Sequence, residues 1–140
     1  MIDRRVVCAK LSQLRERQAH LDRLAAEPRE AFLADPIKIG AAERLLQVSI
    51  EICLDIGHHL IAAQSLPRPR EYRDVFRILG EHGRIPAALA ERLEGMAGFR
   101  NRLVHLDADV DPARVYEFLQ KERSDLMEFA AAVATSTRDS

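Results

Sequence analysis

The sequence predicts an all-α fold, an up-and-down bundle of about five helices that pairs as a homodimer. Three observations carry this expectation. Apolar residues recur at three- and four-residue spacing along most of the chain, and no stretch reads convincingly as a strand. Two of the periodic segments are preceded by a helix-capping aspartate and an opening proline, at Asp35-Pro36 and Asp111-Pro112. Aromatic residues make up only 5% of the chain and Trp is absent, so the interior must be built mainly from Leu, Ile, Val and Ala.

The first helix is expected from about Ile2 to Ala26, with Val6, Val7, Leu11, Leu14, Leu21 and Leu24 on its inner face; Glu27-Pro28 ends or bends it. The second runs from Pro36 to about Gln64 and is the most apolar. Its Ile, Leu and Val residues wrap much of the circumference, so it is central to the bundle or covered by a second copy. Ser65-Leu66-Pro67-Arg68-Pro69 is a stiff linker. A short third helix, about Glu71 to Leu79, turns Val75, Phe76 and Leu79 inward, and Gly83 is a left-handed cap. The fourth runs from Pro86 to about Val104 on the stripe Leu89, Leu93, Met96, Arg100, Leu103, which places an arginine close to the apolar face. The fifth opens at Pro112 and lines Val115, Phe118, Leu119, Leu126, Phe129 and Val133. Residues 1–134 then form a single domain and 135–140 a polar, fraying tail.

The 140 residues fit one core. Net charge is -1, so the chain is no polycation, but the charge is uneven. From Pro67 to His105 eight arginines face five acids, a balance of +3; from Leu106 onward eight acids face four bases, a balance of -4. This pattern fits solvated helix faces, or a modest basic surface opposed by an acidic last helix. The scarcity of aromatics weighs against base-stacking sheet folds. Cys8 and Cys53 have no CxxC spacing and read as reduced core thiols of a cytoplasmic protein. No uninterrupted apolar run approaches the ~20 residues of a membrane span, and no signal peptide is expected.

The segment Arg100-Asn101-Arg102-Leu103-Val104-His105 carries the most chemistry. Histidine titrates near neutrality and can take a ribose 2′-hydroxyl proton or protonate a leaving 5′-oxygen. Arginine can hold the non-bridging phosphate oxygens. Asn101 and Arg102 lie within helical reach of His105. Five positions at about 100° each put Arg100 and His105 roughly 140° apart, so one straight helix does not aim both at one phosphate. Either the helix ends near His105 or a second protomer completes the site. The bland alternative is a histidine at a helix C-terminus and an arginine in a surface ion pair. Asp55, His58 and His59 share helical spacing. They read as a helix ion pair or as a polar cleft lining in which Asp55 orients a histidine or arginine; a third metal ligand is not evident, so neither metal nor other cofactor is expected. The common phosphate-loop, dinucleotide and hydrolase motifs are absent.

Four segments in order resemble the HepT-like toxins of the HEPN superfamily: Glu43 to Ala62, Tyr72 to Gly83, Gly95 to His105, and Asp109 to Leu119. The resemblance covers about Val6 to Val133. It implies an all-helical homodimer and a metal-independent endoribonuclease toxin of a type VII-like toxin–antitoxin pair. In such a toxin Arg100 and His105 are catalytic, with Asn101 and Arg102 at their side, and the motifs of two protomers meet in a cleft. RNA would be cut by 2′-hydroxyl attack to a 2′,3′-cyclic phosphate. The implied partner is an MntA-like minimal nucleotidyltransferase antitoxin. The family motif continues His-x-Tyr, and that tyrosine accepts AMP; here the position is Asp107, and the nearest tyrosine is Tyr116. The alternative is a catalytically weak HEPN module whose role is to pair with a nucleotidyltransferase.

Overall fold

The computed structural model describes residues 2–104 and 110–138. Among these residues there are seven helices and no strand: α1 Arg4–Ala25, α2 Arg29–Leu33, α3 Pro36–Ala63, α4 Tyr72–Glu81, α5 Ala87–Val104, α6 Pro112–Lys121 and α7 Arg123–Arg138. The all-α bundle is as expected; the helix count is higher for two local reasons. The single turn α2 is too short to show a period, yet it drives Phe32 to full burial. The expected fifth helix is two, α6 and α7, meeting at Glu122. Its apolar spacing hides the break, because the stripes of α6 and α7 face the same core. The polar stretch from Thr135 continues α7 through Arg138, with Thr137 buried.

The helix starts follow from the sequence. Asp3 accepts the backbone N–H groups of Arg5 and Val6 at 3.0 and 3.4 Å, and Asp35 those of Ile37 and Lys38 at 3.0 and 3.3 Å. On α1, Val7, Leu11, Leu14, Gln18 and Leu21 form one buried stripe against α3. At its end the carbonyls of Glu27 and Ala25 accept the Tyr116 hydroxyl and the Gln120 amide, each at 2.7 Å, which ties α6 to the turn.

The central element is α3, which packs against all six other helices. By length and by a mean hydropathy of 1.3 over its most apolar window it could cross a bilayer, although no uninterrupted apolar run does so; 56% of that window is buried inside the bundle. Burial pushes the Cys53 thiol far above its ordinary pKa by desolvation, whereas Cys8, expected in the core, is exposed on α1.

Two glycines set how close α4 lies. A Cβ on Gly57 would collide with Val75 Cγ1, and a Cβ on Gly80 would come within 2.6 Å of Ala90 Cβ. Gly57 therefore lets α4 seat on α3, and Gly80 lets α4 and α5 form the most closely packed pair in the bundle. Gly83, at φ 70°, makes the expected left-handed turn between them. Opposite, Arg92 on α5 holds the nearly buried Asp125 of α7 at 3.0 Å. In the core, Phe99 stacks on Phe118 with ring centroids 4.5 Å apart.

Candidate functional site

The last turn of α5, the first turn of α4 and the segment before it enclose a cleft of about 680 Å³, and α3 adds His58 to its wall. Arg100 stands in this wall with a side chain only 17% exposed. The helical stripe explains why: one turn after Met96, the arginine takes a position whose neighbours are core residues.

Arg100 is held from three directions. Its Nη2 donates to Glu51 Oε1 on α3 at 2.9 Å, and Gln47 donates to the same oxygen at 3.2 Å. Its guanidinium carbon lies 4.7 Å from the centre of the Tyr72 ring on α4. Its Nη1 makes a long 3.4 Å contact to Asn101 Oδ1, and its Nε is enclosed without an acceptor. A guanidinium fixed by a carboxylate and an aromatic face loses little freedom when an anion arrives, which suits a group meant to meet developing charge.

The cleft also receives Arg70 and Arg73, both exposed and with no carboxylate partner among the described residues. They are placed by the start of α4, where Asp74 accepts the backbone N–H groups of Arg70 and Glu71 at 3.1 Å each. Those two hydrogen bonds, helped by Arg77, hold the Asp74 carboxyl below the usual aspartate pKa. The same carboxylate therefore starts the helix and anchors the arginine-bearing segment.

Arg100 and Asn101 both line the cleft, whereas Arg102 is exposed and is not among its lining residues. Asp55 does not orient Arg100: it pairs with Lys10 on α1 at 3.3 Å, and the acid on Arg100 is Glu51, one helical turn earlier. His58 and His59 part company, since His58 faces the cleft while His59 Nε2 accepts the Asp3 backbone N–H at 3.1 Å. Among the described residues no group of three or more His, Cys, Asp or Glu could hold a metal ion. His105 and Asp107 lie outside the described residues. Tyr116 is engaged elsewhere, with its hydroxyl on Glu27 and its ring 5.3 Å from Phe32. Glu51, Tyr72, Arg70 and Arg73 were not legible as site residues. The only signal for Glu51 was its place on the polar edge of an otherwise apolar helix.

Comparison with known proteins bears on this arrangement. A family model described as "Ribonuclease HepT-like" matches residues 11–133. An "mRNA nuclease HepT" of Shewanella oneidensis is 32% identical over 84 residues, 60% of this chain and 63% of that protein. A "tRNA nuclease HepT" of Aphanizomenon flos-aquae is 32% identical over 74 residues, 53% of this chain and 50% of that protein. The chain thus spans less than two thirds of the length of either relative. In fold it is similar to the tri-AMPylated HEPN toxin of Shewanella oneidensis, solved in complex with an MNT antitoxin, at a TM-score of 0.85 and 23% identity over 93% of this chain and 97% of that one.

Proposed function

Because this chain belongs to the ribonuclease HepT-like family, we propose that it is an endoribonuclease toxin that works as a homodimer and is controlled by a minimal nucleotidyltransferase antitoxin. The observation that carries this reading is Arg100: mostly buried, fixed by Glu51 and Tyr72, and opening on a cleft that also receives Arg70 and Arg73. Three guanidinium groups around one cleft suit the phosphates of a nucleic acid.

In the proposed mechanism Arg100 binds the non-bridging oxygens of the scissile phosphate, and Asn101 stands beside it. One His105 removes the proton from the ribose 2′-hydroxyl. The 2′-oxygen attacks phosphorus, the bond to the 5′-oxygen breaks, and the His105 of the second protomer protonates the leaving oxygen. The products are a 2′,3′-cyclic phosphate and a 5′-hydroxyl end. No metal is required, because the cation that balances the growing charge is the guanidinium. On an ideal straight helix Arg100 and His105 would point roughly 140° apart, which is the reason for invoking the second protomer. The "mRNA nuclease" and "tRNA nuclease" of the two relatives support RNA as the substrate class, and the antitoxin-bound fold neighbour supports the partner.

The test is cleavage of single-stranded RNA by the purified protein in EDTA. Activity on RNA, none on the all-DNA analogue, and loss in both Arg100→Ala and His105→Ala are expected; cleavage that survives His105→Ala, or that needs a divalent ion, would sink the mechanism. One observation favours the weakly catalytic binding module as a second reading: within the protomer Glu51 already neutralises Arg100. A wild type that cleaves nothing yet binds a nucleotidyltransferase tightly would decide for it.

A further inference from the structure

The chain has five Phe and two Tyr and no Trp. Every Phe is buried, at 4% exposure or less, and Tyr116 is half-buried with its hydroxyl bonded to Glu27. Among the described residues, which include all seven, Tyr72 is the one exposed aromatic, at 44%. It is also the one that lines the arginine-bearing cleft. Its position is a consequence of register. Val75, Phe76 and Leu79 form the buried stripe of α4, and Tyr72 continues that stripe one turn beyond the core, where the first turn of the helix overhangs the cleft. Its exposed surface is therefore free to take a planar partner from within the cleft.

One face of the ring is already occupied, since the Arg100 guanidinium sits over it at 4.7 Å. The remaining exposed surface lies in a cleft that is also lined by Glu71 and by Arg70 and Arg73, neither of which has an acid partner among the described residues. A flat ring beside unpaired guanidinium groups matches a nucleotide better than it matches a bare phosphate or an aliphatic chain: the ring takes a base and the arginines take the phosphates. We propose that Tyr72 is the stacking platform for one nucleobase of the bound RNA, sandwiched between that base and Arg100. Tyr72 is thereby a positioning residue, because the base it holds sets the adjoining phosphate against Arg100. The inference rests on the ribonuclease reading and deepens it. Stacking accepts any base face, so Tyr72 selects not a base but single-stranded over paired RNA, whose bases are already stacked.

The test separates a platform from a prop for Arg100. A short single strand with 2′-fluoro in place of each 2′-hydroxyl cannot be cleaved, and its binding to the full chain is read by fluorescence anisotropy. The same strand is then made with an abasic sugar at each position in turn. With wild type, one position is expected to weaken binding by roughly tenfold or more when its base is removed. In Tyr72→Ala that penalty is expected to vanish, and in Tyr72→Phe, which keeps the ring, to remain. If Tyr72 merely supports Arg100, Tyr72→Ala weakens the complete and the abasic strands alike and the penalty persists, which overturns the proposal. A wild type that binds the strand with no position sensitive to base loss also overturns it and leaves the ribonuclease reading intact. A wild type that does not bind the strand overturns both.

Discussion

Replacing Glu51 with glutamine separates two jobs of one carboxylate. Oε1 of Glu51 accepts from Arg100 at 2.9 Å and from Gln47 at 3.2 Å. A glutamine oxygen in the same place can accept both, so geometry is kept and charge is removed. The stability cost is the difference between a charged and a neutral acceptor, about 1 kcal/mol, before solvent reduces it. With the two side chains 17% and 33% exposed, the reduction is partial. A melting point lower by about 2–5 °C is expected. Anion binding is expected to move the other way. A phosphate reaching the Arg100 guanidinium from the cleft lies about 6–7 Å from the carboxylate, where repulsion is on the order of 1 kcal/mol, between about 0.6 in bulk water and about 2.5 at an effective dielectric of about 20. Glu51→Gln is therefore expected to bind a non-cleavable RNA strand about fivefold more tightly. The slope of log affinity against log salt is expected to steepen by up to about 0.7, because the Arg100 charge at the phosphate is no longer offset by Glu51. Anisotropy titrations at several salt concentrations read both quantities. Weaker binding with an unchanged slope would refute the reasoning. It would mean that the negative charge itself orients Arg100 and that masking is not its role.

Two further outcomes concern the scaffold. Gly57→Ala is expected to destabilise by about 1–3 kcal/mol, because its Cβ meets the stiff Val75 side chain and forces α4 off α3. Gly40→Ala in the same helix, where nothing lies within 4 Å, is expected to stabilise by up to about 1 kcal/mol; chemical denaturation of the pair checks the contrast, and equal shifts would contradict it. Asp74 supplies an acid-sensitive contribution, since its carboxyl pKa is lowered in the folded protein by the Arg70 and Glu71 backbone N–H groups. That contribution is present above the ordinary aspartate pKa and is lost as pH falls through the lowered, folded value. Asp74→Asn is accordingly expected to be less stable than wild type near neutrality and to converge with it in strong acid. A gap that stays constant with pH would exclude the linkage.

What the sequence disclosed follows the length of each signal. Helix α3 was legible from Asp35-Pro36 and a run of branched apolar residues, and α5 from its stripe. The stripe also singled out Arg100, because a charge on an apolar face must have a partner or a purpose. One turn around Phe32 is too short for a period, and the break at Glu122 leaves the apolar spacing unchanged. Within the site, Asp55 drew attention by standing next to two histidines, but local spacing says nothing about which turn of α3 faces α5, and Glu51 is the one that does. Tyr72 was hidden for the opposite reason. Its spacing to Phe76 reads as core, and only the overhang of α4 beyond the bundle exposes it.

The start of α4 also shapes the electrostatic background of the cleft. A helix start carries about half a positive elementary charge and is a ready site for an anion. Here it is already met from within the chain, since Asp74 accepts the backbone N–H groups of Arg70 and Glu71 and forms a capping box with Glu71. The backbone at this edge therefore offers a ligand little charge of its own, and the sign is left to a few side chains: Arg70, Arg73 and Arg100 against Glu51 and Glu71. A cleft whose sign rests on so few groups can be turned towards or away from a polyanion by a single substitution, without any change in how the helices pack.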